Sequence, residues 1–178
     1  MSKRKIKESY EGLGGRIYDI RYLEEQNSKF HAALEKVQPD STDITLDNGC
    51  GTGLFLTKIE STIIGVDLTH RLLEKAAEHI RDYYMHLVCA DAENLPFRSS
   101  SFDKVYSFTV VHNLSSPEKG VDEMVRVSTP DGTLIISGLK KAFSLNRFVS
   151  LYDRTGLRAK LMDKESLNDF LVFLRRKE

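Results

Sequence analysis

The sequence has only two cysteines, no excess of charge of either sign and no long apolar run. Cys50 and Cys89 form neither a disulfide framework nor a CxxC metal pair. Lys plus Arg equals Asp plus Glu at 26 each, so the net charge does not indicate a nucleic-acid partner, although it does not exclude one. No run reaches the ~18 apolar residues that span a membrane, and the N-terminus lacks the apolar stretch of a signal peptide. We therefore expect a soluble cytoplasmic protein without a membrane partner.

The length of 178 residues, 40% of them hydrophobic, is sufficient for one globular domain in which helices cover a central sheet. We expect residues 1–178 to form a single domain with three parts. Residues 1–40 would supply a basic N-terminal segment and a covering helix, with apolar positions recurring from Ile17 to Val37. Residues 43–138 would form the ligand-binding core, and residues 139–178 a helix followed by a hairpin of strands.

Five short apolar runs of strand length alternate with helical patterns through the predicted core. They are DITLD (43–47), TIIGVD (62–67), MHLVCAD (85–91), FDKVYSF (102–108) and GTLIIS (132–137). Two further runs, LRAKLMD and DFLVFLRRK, follow a probable helix near the C-terminus and suit an antiparallel edge hairpin. The pattern predicts an α/β fold: a doubly wound, mostly parallel seven-stranded sheet with helices on both faces.

A glycine-rich turn, LDNGCGTG, follows the first predicted strand at residues 46–53. Gly49, Gly51 and Gly53 lack Cβ atoms, so the backbone amides of such a turn can approach a ligand closely. A helix after the turn would present its positive end to an anionic group. The alternative is a tight strand-to-helix turn that binds nothing.

Aspartates end three successive predicted strands. Asp67 comes twenty residues after Asp47, at a spacing that suits a carboxylate accepting hydrogen bonds from ribose hydroxyls, and Asp91 ends the third strand. Since the carboxyl ends of parallel strands share one edge of the sheet, the three aspartates outline a nucleoside pocket. Leu54 occupies the last position of the G-x-G-x-x-G dinucleotide motif, which disfavours nicotinamide binding.

At these motifs the chain resembles class I S-adenosylmethionine-dependent methyltransferases, in particular the small group of the type 11 and ubiquinone-biosynthesis kind. The matching segments, in family order, are LDNGCGTG, GVDLT, CADAENLPF, SFDKVYSFTVVHNL and EMVRVSTPDGTLIIS. Asn48 departs from the family pattern, because it replaces the usual aliphatic residue, and Asp131 replaces the first glycine of a Pro-Gly-Gly turn.

The resemblance implies S-adenosylmethionine as cofactor, S-adenosylhomocysteine as product, and a role for each matched position. Asp47 and the turn residues Gly49, Cys50, Gly51 and Gly53 would surround the methionine part, and Asp67 would bind the ribose. Asp91, Ala92 and Leu68 would contact the adenine, while Ser107 and Phe108 would line the methyl donor.

The acceptor is an unidentified O, N or C nucleophile, and we expect a small molecule ahead of RNA or protein. A general base is needed only where the acceptor must lose a proton, and His112 is the candidate, with Asn113 beside it; packing or loop capping is the alternative role for His112. Tyr18 and Tyr22 are candidate walls of the substrate pocket. Cys50 and Cys89 are expected to be packing residues, and no His, Asp or Glu set has metal-ligand spacing.

Two other functions stay open at this point. A core with so few additions to the fold could depend on an activating partner subunit, or could itself be a noncatalytic S-adenosylmethionine-binding subunit of a complex. An NAD-dependent oxidoreductase is the less favoured alternative, because Leu54 breaks the dinucleotide motif and no hydride-transfer constellation such as Tyr-x-x-x-Lys is present.

Overall fold

The computed structural model describes residues 15–80 and 83–176, with side chains from residue 23 onward. The helices of the described residues are α1 (Gly15–Leu34), α2 (His70–Ala77), α3 (Pro117–Val127) and α4 (Leu145–Asp153). The strands are β1 (Ile44–Asn48), β2 (Thr62–Asp67), β3 (Met85–Cys89), β4 (Phe102–Ser107), β5 (Ser128–Leu139), β6 (Arg158–Met162) and β7 (Asp169–Arg175).

The seven strands form one sheet in the order β3-β2-β1-β4-β5-β7-β6. The first five pair in parallel, whereas β7 runs antiparallel to β5 and β6 runs antiparallel to β7. The predicted doubly wound sheet and its antiparallel edge hairpin are therefore confirmed. The chain winds outward in opposite directions from β1 and β4, and the carboxyl ends of these two strands are where such sheets place a ligand.

Each face of the sheet buries its own apolar cluster. On one face α3 and α4 pack on the sheet, with Val121, Met124 and Phe148 fully or almost fully buried. On the other face α1 contributes Phe30 and Ala33. Phe30 contacts the rings of Phe55 and Phe108 at centroid distances of 5.1 and 4.9 Å. This second cluster reaches the glycine turn, so α1 covers the region where β1 and β4 end.

The helix expected after the glycine turn is not formed. The chain makes turns and then a single 3-10 turn at Leu56–Lys58. Only the short segment 54–61 connects Gly53 to β2, and Phe55, Leu56 and Ile59 are buried in the core. The connection is therefore too short and too fully packed for a regular helix, and no helix dipole points at the turn from this side.

Two smaller expectations also need correction. β5 begins at Ser128, four residues before the predicted run, because Ser128 pairs with Phe102 ahead of an irregularity in the β4–β5 ladder. Cys50 is a buried free thiol as expected, but Cys89 is exposed. Cys89 lies on β3, which has a neighbour on one side only. The assignment of residues 1–178 to a single domain stays a prediction.

Candidate cofactor site

A cleft opens at the carboxyl ends of the central strands, with about 700 Å³ of space that is partly open to solvent. Its wall comes from the glycine turn after β1, the end of β2, the segment after β3 and the segment after β4. The residues that line it are Asn48, Gly49, Gly51, Val66, Asp67, Leu68, Thr69, Leu72, Ala90, Asp91, Ala92, Glu93, Phe108, Thr109, Val110, Asn113 and Leu114. Asp67 and Asp91 of the predicted nucleoside pocket line this cleft, whereas Asp47 does not, and binding of a nucleoside here stays a prediction.

The glycine turn is anchored to β2 and pressed against the segment that follows β4. The amides of Gly49 and Cys50 both donate to the carbonyl oxygen of Val66, at 2.7 and 2.8 Å. Gly49 has a φ of +92°, and a Cβ atom there would lie 2.1 Å from Cγ2 of Val110. Only glycine satisfies both constraints at this position.

Asp67 is fixed by backbone amides from two elements. Its Oδ2 accepts from the amide of Gly51 at 2.9 Å, and its Oδ1 accepts from the amide of Thr69 at 2.8 Å. Asp67 also lines the cleft, where an ionised carboxylate can accept hydrogen bonds from the hydroxyl groups of a ligand. Burial raises the pKa of Asp67, and the hydrogen bonds from Thr69 and Gly51 oppose that rise.

The other residues predicted to contact the nucleoside lie around the same cleft. Leu68 and Ala92 line it, as does Asp91. The Asp91 carboxylate accepts from the amide of Glu93 at 2.9 Å and from Nδ2 of Asn94 at 3.4 Å. A carboxylate held in this way presents a defined acceptor geometry to a ligand.

A second cleft of about 320 Å³ adjoins the first on the side of α1. Gly49 and Phe108 line both clefts. The remaining lining residues of the second cleft are Gln26, Phe30, Asp47, Cys50, Thr52, Leu54 and Phe55. The two cavities together extend across the glycine turn from the nucleoside side to the cover helix.

The Asp47 carboxyl is nearly inaccessible, with 2% of its surface exposed. Burial, with a contribution from the negative charge of Asp67, raises the pKa of Asp47 to about 8. The pKa of the neighbouring Cys50 thiol is also raised, chiefly by burial. A cation placed beside this carboxyl group would favour its ionised form and lower its pKa.

Three predicted site residues are packed against neighbouring residues of the protein. One of them also lines the clefts, and the other two do not. Phe108 lines both clefts and packs on Phe55 at 5.0 Å between ring centroids. Ser107 is fully buried, donates to the carbonyl of Asn48 at 3.0 Å and lines neither cleft. Gly53 lines neither cleft; a Cβ atom there would lie 3.0 Å from Cβ of Ala76.

The candidate base is poorly placed and weakly basic. His112 lies in the 3-10 turn Val111–Asn113 and is not among the residues that line either cleft. Burial, reinforced by the positive charge of Lys29, lowers the pKa of His112 to about 4. Asn113 does line the larger cleft. Tyr18 and Tyr22 are on α1, but their side chains lie outside the described part of the chain.

Sequence reasoning missed two residues that shape the cleft wall. Thr109 adopts a φ of +63°, in the left-handed region. β-Branched residues rarely adopt this conformation, so the sequence does not predict it. Glu93 is buried, and its Oε1 accepts from the amides of Ser115 and Ser116 at 2.6 and 3.1 Å. Glu93 thereby joins the segment after β3 to the start of α3. The signal in the sequence that could have identified Glu93 is its position within the segment CADAENLPF.

No helix among residues 15–80 and 83–176 is long and apolar enough to cross a membrane. Within the same ranges, no group of three or more His, Cys, Asp or Glu side chains is arranged to hold a metal ion.

Residues 46–136 match the methyltransferase-domain family, and the chain belongs to that family. The match extends from the end of β1 to β5 and includes every segment that contributes to the larger cleft. S-adenosylmethionine is the cofactor of this class of enzyme, as the family resemblance of the sequence implied.

Two curated relatives show moderate identity over most of the chain. One is a tRNA (carboxymethyluridine(34)-5-O)-methyltransferase of Arabidopsis thaliana, 30% identical over 141 residues, which cover 77% of this chain and 33% of the relative. The other is a malonyl-[acyl-carrier protein] O-methyltransferase of Erwinia pyrifoliae, 30% identical over 154 residues, with 84% and 57% covered. The chain thus spans from a third to just over half the length of these relatives.

Among solved structures, the methyltransferase subunit of a complex with the Haloferax volcanii Trm112 methyltransferase activator has the same fold. The two chains superpose with a TM-score of 0.82 at 14% identity, over 97% of each. A Methanococcus maripaludis protein described as a putative S-adenosylmethionine-dependent methyltransferase gives a TM-score of 0.79 at 14% identity, over 97% of this chain and 94% of that one.

Proposed function

We propose that this chain transfers the methyl group of S-adenosylmethionine to an acceptor and that the two adjoining clefts hold the cofactor between them. The observation that carries this proposal is the fixed carboxylate of Asp67, positioned by the amides of Gly51 and Thr69 inside a 700 Å³ cleft. Asp67 would accept hydrogen bonds from the ribose hydroxyls.

The remaining cleft residues fit the two ends of this cofactor. In the larger cleft, Leu68 and Ala92 would contact the adenine, and Asp91 would accept from its exocyclic amine. In the smaller cleft, Asp47, Gly49 and Cys50 would surround the methionine part, and the buried carboxyl of Asp47 would face its positive charge. Phe108 lies at the junction, where an aromatic ring stabilises a neighbouring cation.

The bound cofactor supplies a methyl group that the adjacent sulfonium makes electrophilic. The chain's residues would orient that methyl group and exclude water from it. The acceptor atom would have to be held in line with the methyl group at about 3 to 3.5 Å, and this positioning supplies most of the rate enhancement.

We propose further that the acceptor atom is a carboxylate oxygen. Among the described residues that line the two clefts there is no Lys, Arg, His or Tyr, and the pKa of His112 is about 4. The aspartates of the clefts are assigned above to the cofactor, and the Glu93 carboxylate accepts from the amides of Ser115 and Ser116. A carboxylate is already ionised at neutral pH and needs no base. The names of both curated relatives describe O-methylation, of a carboxymethyl group in one and a malonyl group in the other.

The chemical stability of the product tests this acceptor class. The protein would be incubated with S-adenosylmethionine labelled in the methyl group and with RNA or acyl carrier protein as acceptor, and the product would then be treated with mild alkali. A methyl ester loses its label as methanol, whereas a methyl group on nitrogen or carbon is retained. Alkali-stable label would refute the carboxylate acceptor and leave the methyltransferase assignment intact. Asp67→Ala should abolish incorporation in either case.

We also propose that the chain acts with an activating subunit, as the solved complex with the Trm112 activator describes for its methyltransferase. Co-expression with a Trm112-type protein should raise transfer at least tenfold if this is correct. Equal activity with and without it would remove the proposal. Binding of S-adenosylmethionine without transfer, even with the partner present, would favour the noncatalytic alternative. The cytoplasmic location and the small-molecule acceptor stay predictions of the sequence.

A further inference from the structure

A buried lysine connects the cover helix to the wall of the cofactor cleft. Lys29 lies on α1 and has no exposed surface. Its Nζ donates to Oγ1 of Thr109 at 2.7 Å and to Oε1 of Glu25 at 3.3 Å, and it forms an ion pair with Oδ2 of Asp169, which is also fully buried. Three acceptor side chains therefore surround the ammonium group, two of them through hydrogen bonds and Asp169 through the ion pair.

Thr109 is held in a conformation that it would not adopt unaided. Its φ of +63° places a β-branched residue in the left-handed region, which costs free energy that the surroundings must supply. Its amide donates to Oγ of Ser137 at 2.8 Å. Its hydroxyl accepts from Gln26 at 3.2 Å as well as from Lys29. Thr109 is thus fixed by contacts with α1 and β5.

The strained backbone of Thr109 is part of the wall of the larger cleft, so its conformation affects the ligand site. Thr109 lines the larger cleft between Phe108, which lines both clefts, and Val110, which packs against Gly49 of the glycine turn. A change in the backbone of Thr109 would therefore shift the wall that the two clefts share. The position of α1, which contacts Thr109, can therefore affect how this wall contacts the cofactor.

We propose that Lys29 is a positioning residue, which holds Thr109 in its left-handed conformation and thereby sets the geometry of the wall formed by residues 108–110. The inference rests on the proposed function, because that wall is the one assigned to the methyl donor. Lys29 does not touch the cofactor in this scheme. It acts through the hydroxyl of Thr109, and α1 contributes to cofactor affinity by this route.

A double-mutant cycle on S-adenosylhomocysteine affinity tests the proposal. Removing Lys29 alone would leave Asp169 buried without its counter-ion, so every protein in the cycle carries Asp169→Asn. Lys29→Met and Thr109→Val should each raise Kd about tenfold. The double variant should also show about a tenfold rise, because both changes remove the same contact. Thr109→Ser, which keeps the hydroxyl, should recover most of the affinity that Thr109→Val loses.

Two results would overturn the proposal: a roughly hundredfold rise in Kd for the double variant, or an unchanged Kd for folded Lys29→Met. Lys104→Met is the matched control. Lys104 is part of a half-buried ion pair with Asp43, with Nζ and Oδ2 2.8 Å apart, and neither residue lines the clefts. It should lower the melting temperature and leave Kd unchanged. If the wild-type protein, without Asp169→Asn, binds no S-adenosylhomocysteine, the proposed function fails and not only the role of Lys29.

Discussion

Binding of S-adenosylmethionine should release a proton from Asp47 near neutral pH. The pKa of Asp47 is about 8 in the free protein because the carboxyl is buried close to Asp67. A cationic ligand part beside it would lower that pKa, so the bound form would be ionised where the free form is protonated. Affinity should therefore increase as pH rises, by up to about tenfold per pH unit between pH 6 and 7.5, and should level off above pH 8.

Calorimetric titration in two buffers of different ionisation enthalpy measures this release directly. At pH 6.5 the observed enthalpy should differ between the buffers by the amount expected for close to one proton per cofactor bound. Asp47→Asn is the control and should show neither the buffer dependence nor the increase in affinity with pH. A wild-type protein with no proton release and constant affinity from pH 6 to 8 would refute the placement of Asp47 beside the cofactor's positive charge.

Three further predictions concern the same region. Because Asp47 ionises near pH 4 when unfolded but only near pH 8 when folded, the free protein should lose stability relative to Asp47→Asn between those values, by about 1.4 kcal/mol per pH unit in chemical denaturation. Gly49→Ala should cost about 3 kcal/mol, since its Cβ would meet Val110 at 2.1 Å. Gly156→Ala, at a φ of +70° with open space around it, should cost only about 1 kcal/mol, and equal losses would contradict the steric argument. His112→Gln should change the transfer rate less than twofold at pH 7, and a loss of a hundredfold or more would restore His112 as the base.

The sheet was predictable because its signals are local. Each parallel strand is a short apolar run, and the runs at 62–67 and 102–108 agree with β2 and β4 to within one residue. The ends of three such strands had to meet at one edge, which is why Asp67 and Asp91 could be placed in the same pocket without a structure. Gly49 was predictable for a similar reason, since a glycine directly after a buried strand indicates a special backbone conformation.

The features that sequence reasoning missed depend on distant contacts. Lysine is rarely buried, so the sequence does not predict a buried Lys29, and only the fold places Asp169 next to it, 140 residues later in the chain. Thr109 gives no sign in the sequence of its left-handed conformation, and the residues that hydrogen-bond to it, Gln26, Lys29 and Ser137, are distant in the chain. His112 is the candidate base because it lies just beyond β4, where the resemblance implies a histidine, but its position in the sequence does not show whether its side chain lines a cleft.

The same principle explains the missing helix after the glycine turn. Leu56 and Ile59 have spacing that suits a helix, but the burial of Phe55 beneath α1 and the early start of β2 leave room for one 3-10 turn only. The anchoring of the turn is therefore supplied by hydrogen bonds from Gly49 and Cys50 to β2.

Calorimetric titration with S-adenosylhomocysteine and, separately, with NAD tests the central assignment most directly, using the wild-type protein and Asp67→Ala. We predict micromolar binding of S-adenosylhomocysteine, no binding of NAD, and a loss of at least tenfold in affinity for Asp67→Ala, because the substitution removes hydrogen bonds between the ribose and a charged acceptor. Binding of NAD alone, or equal affinity of the wild-type and Asp67→Ala proteins for S-adenosylhomocysteine, would contradict the assignment of this cleft.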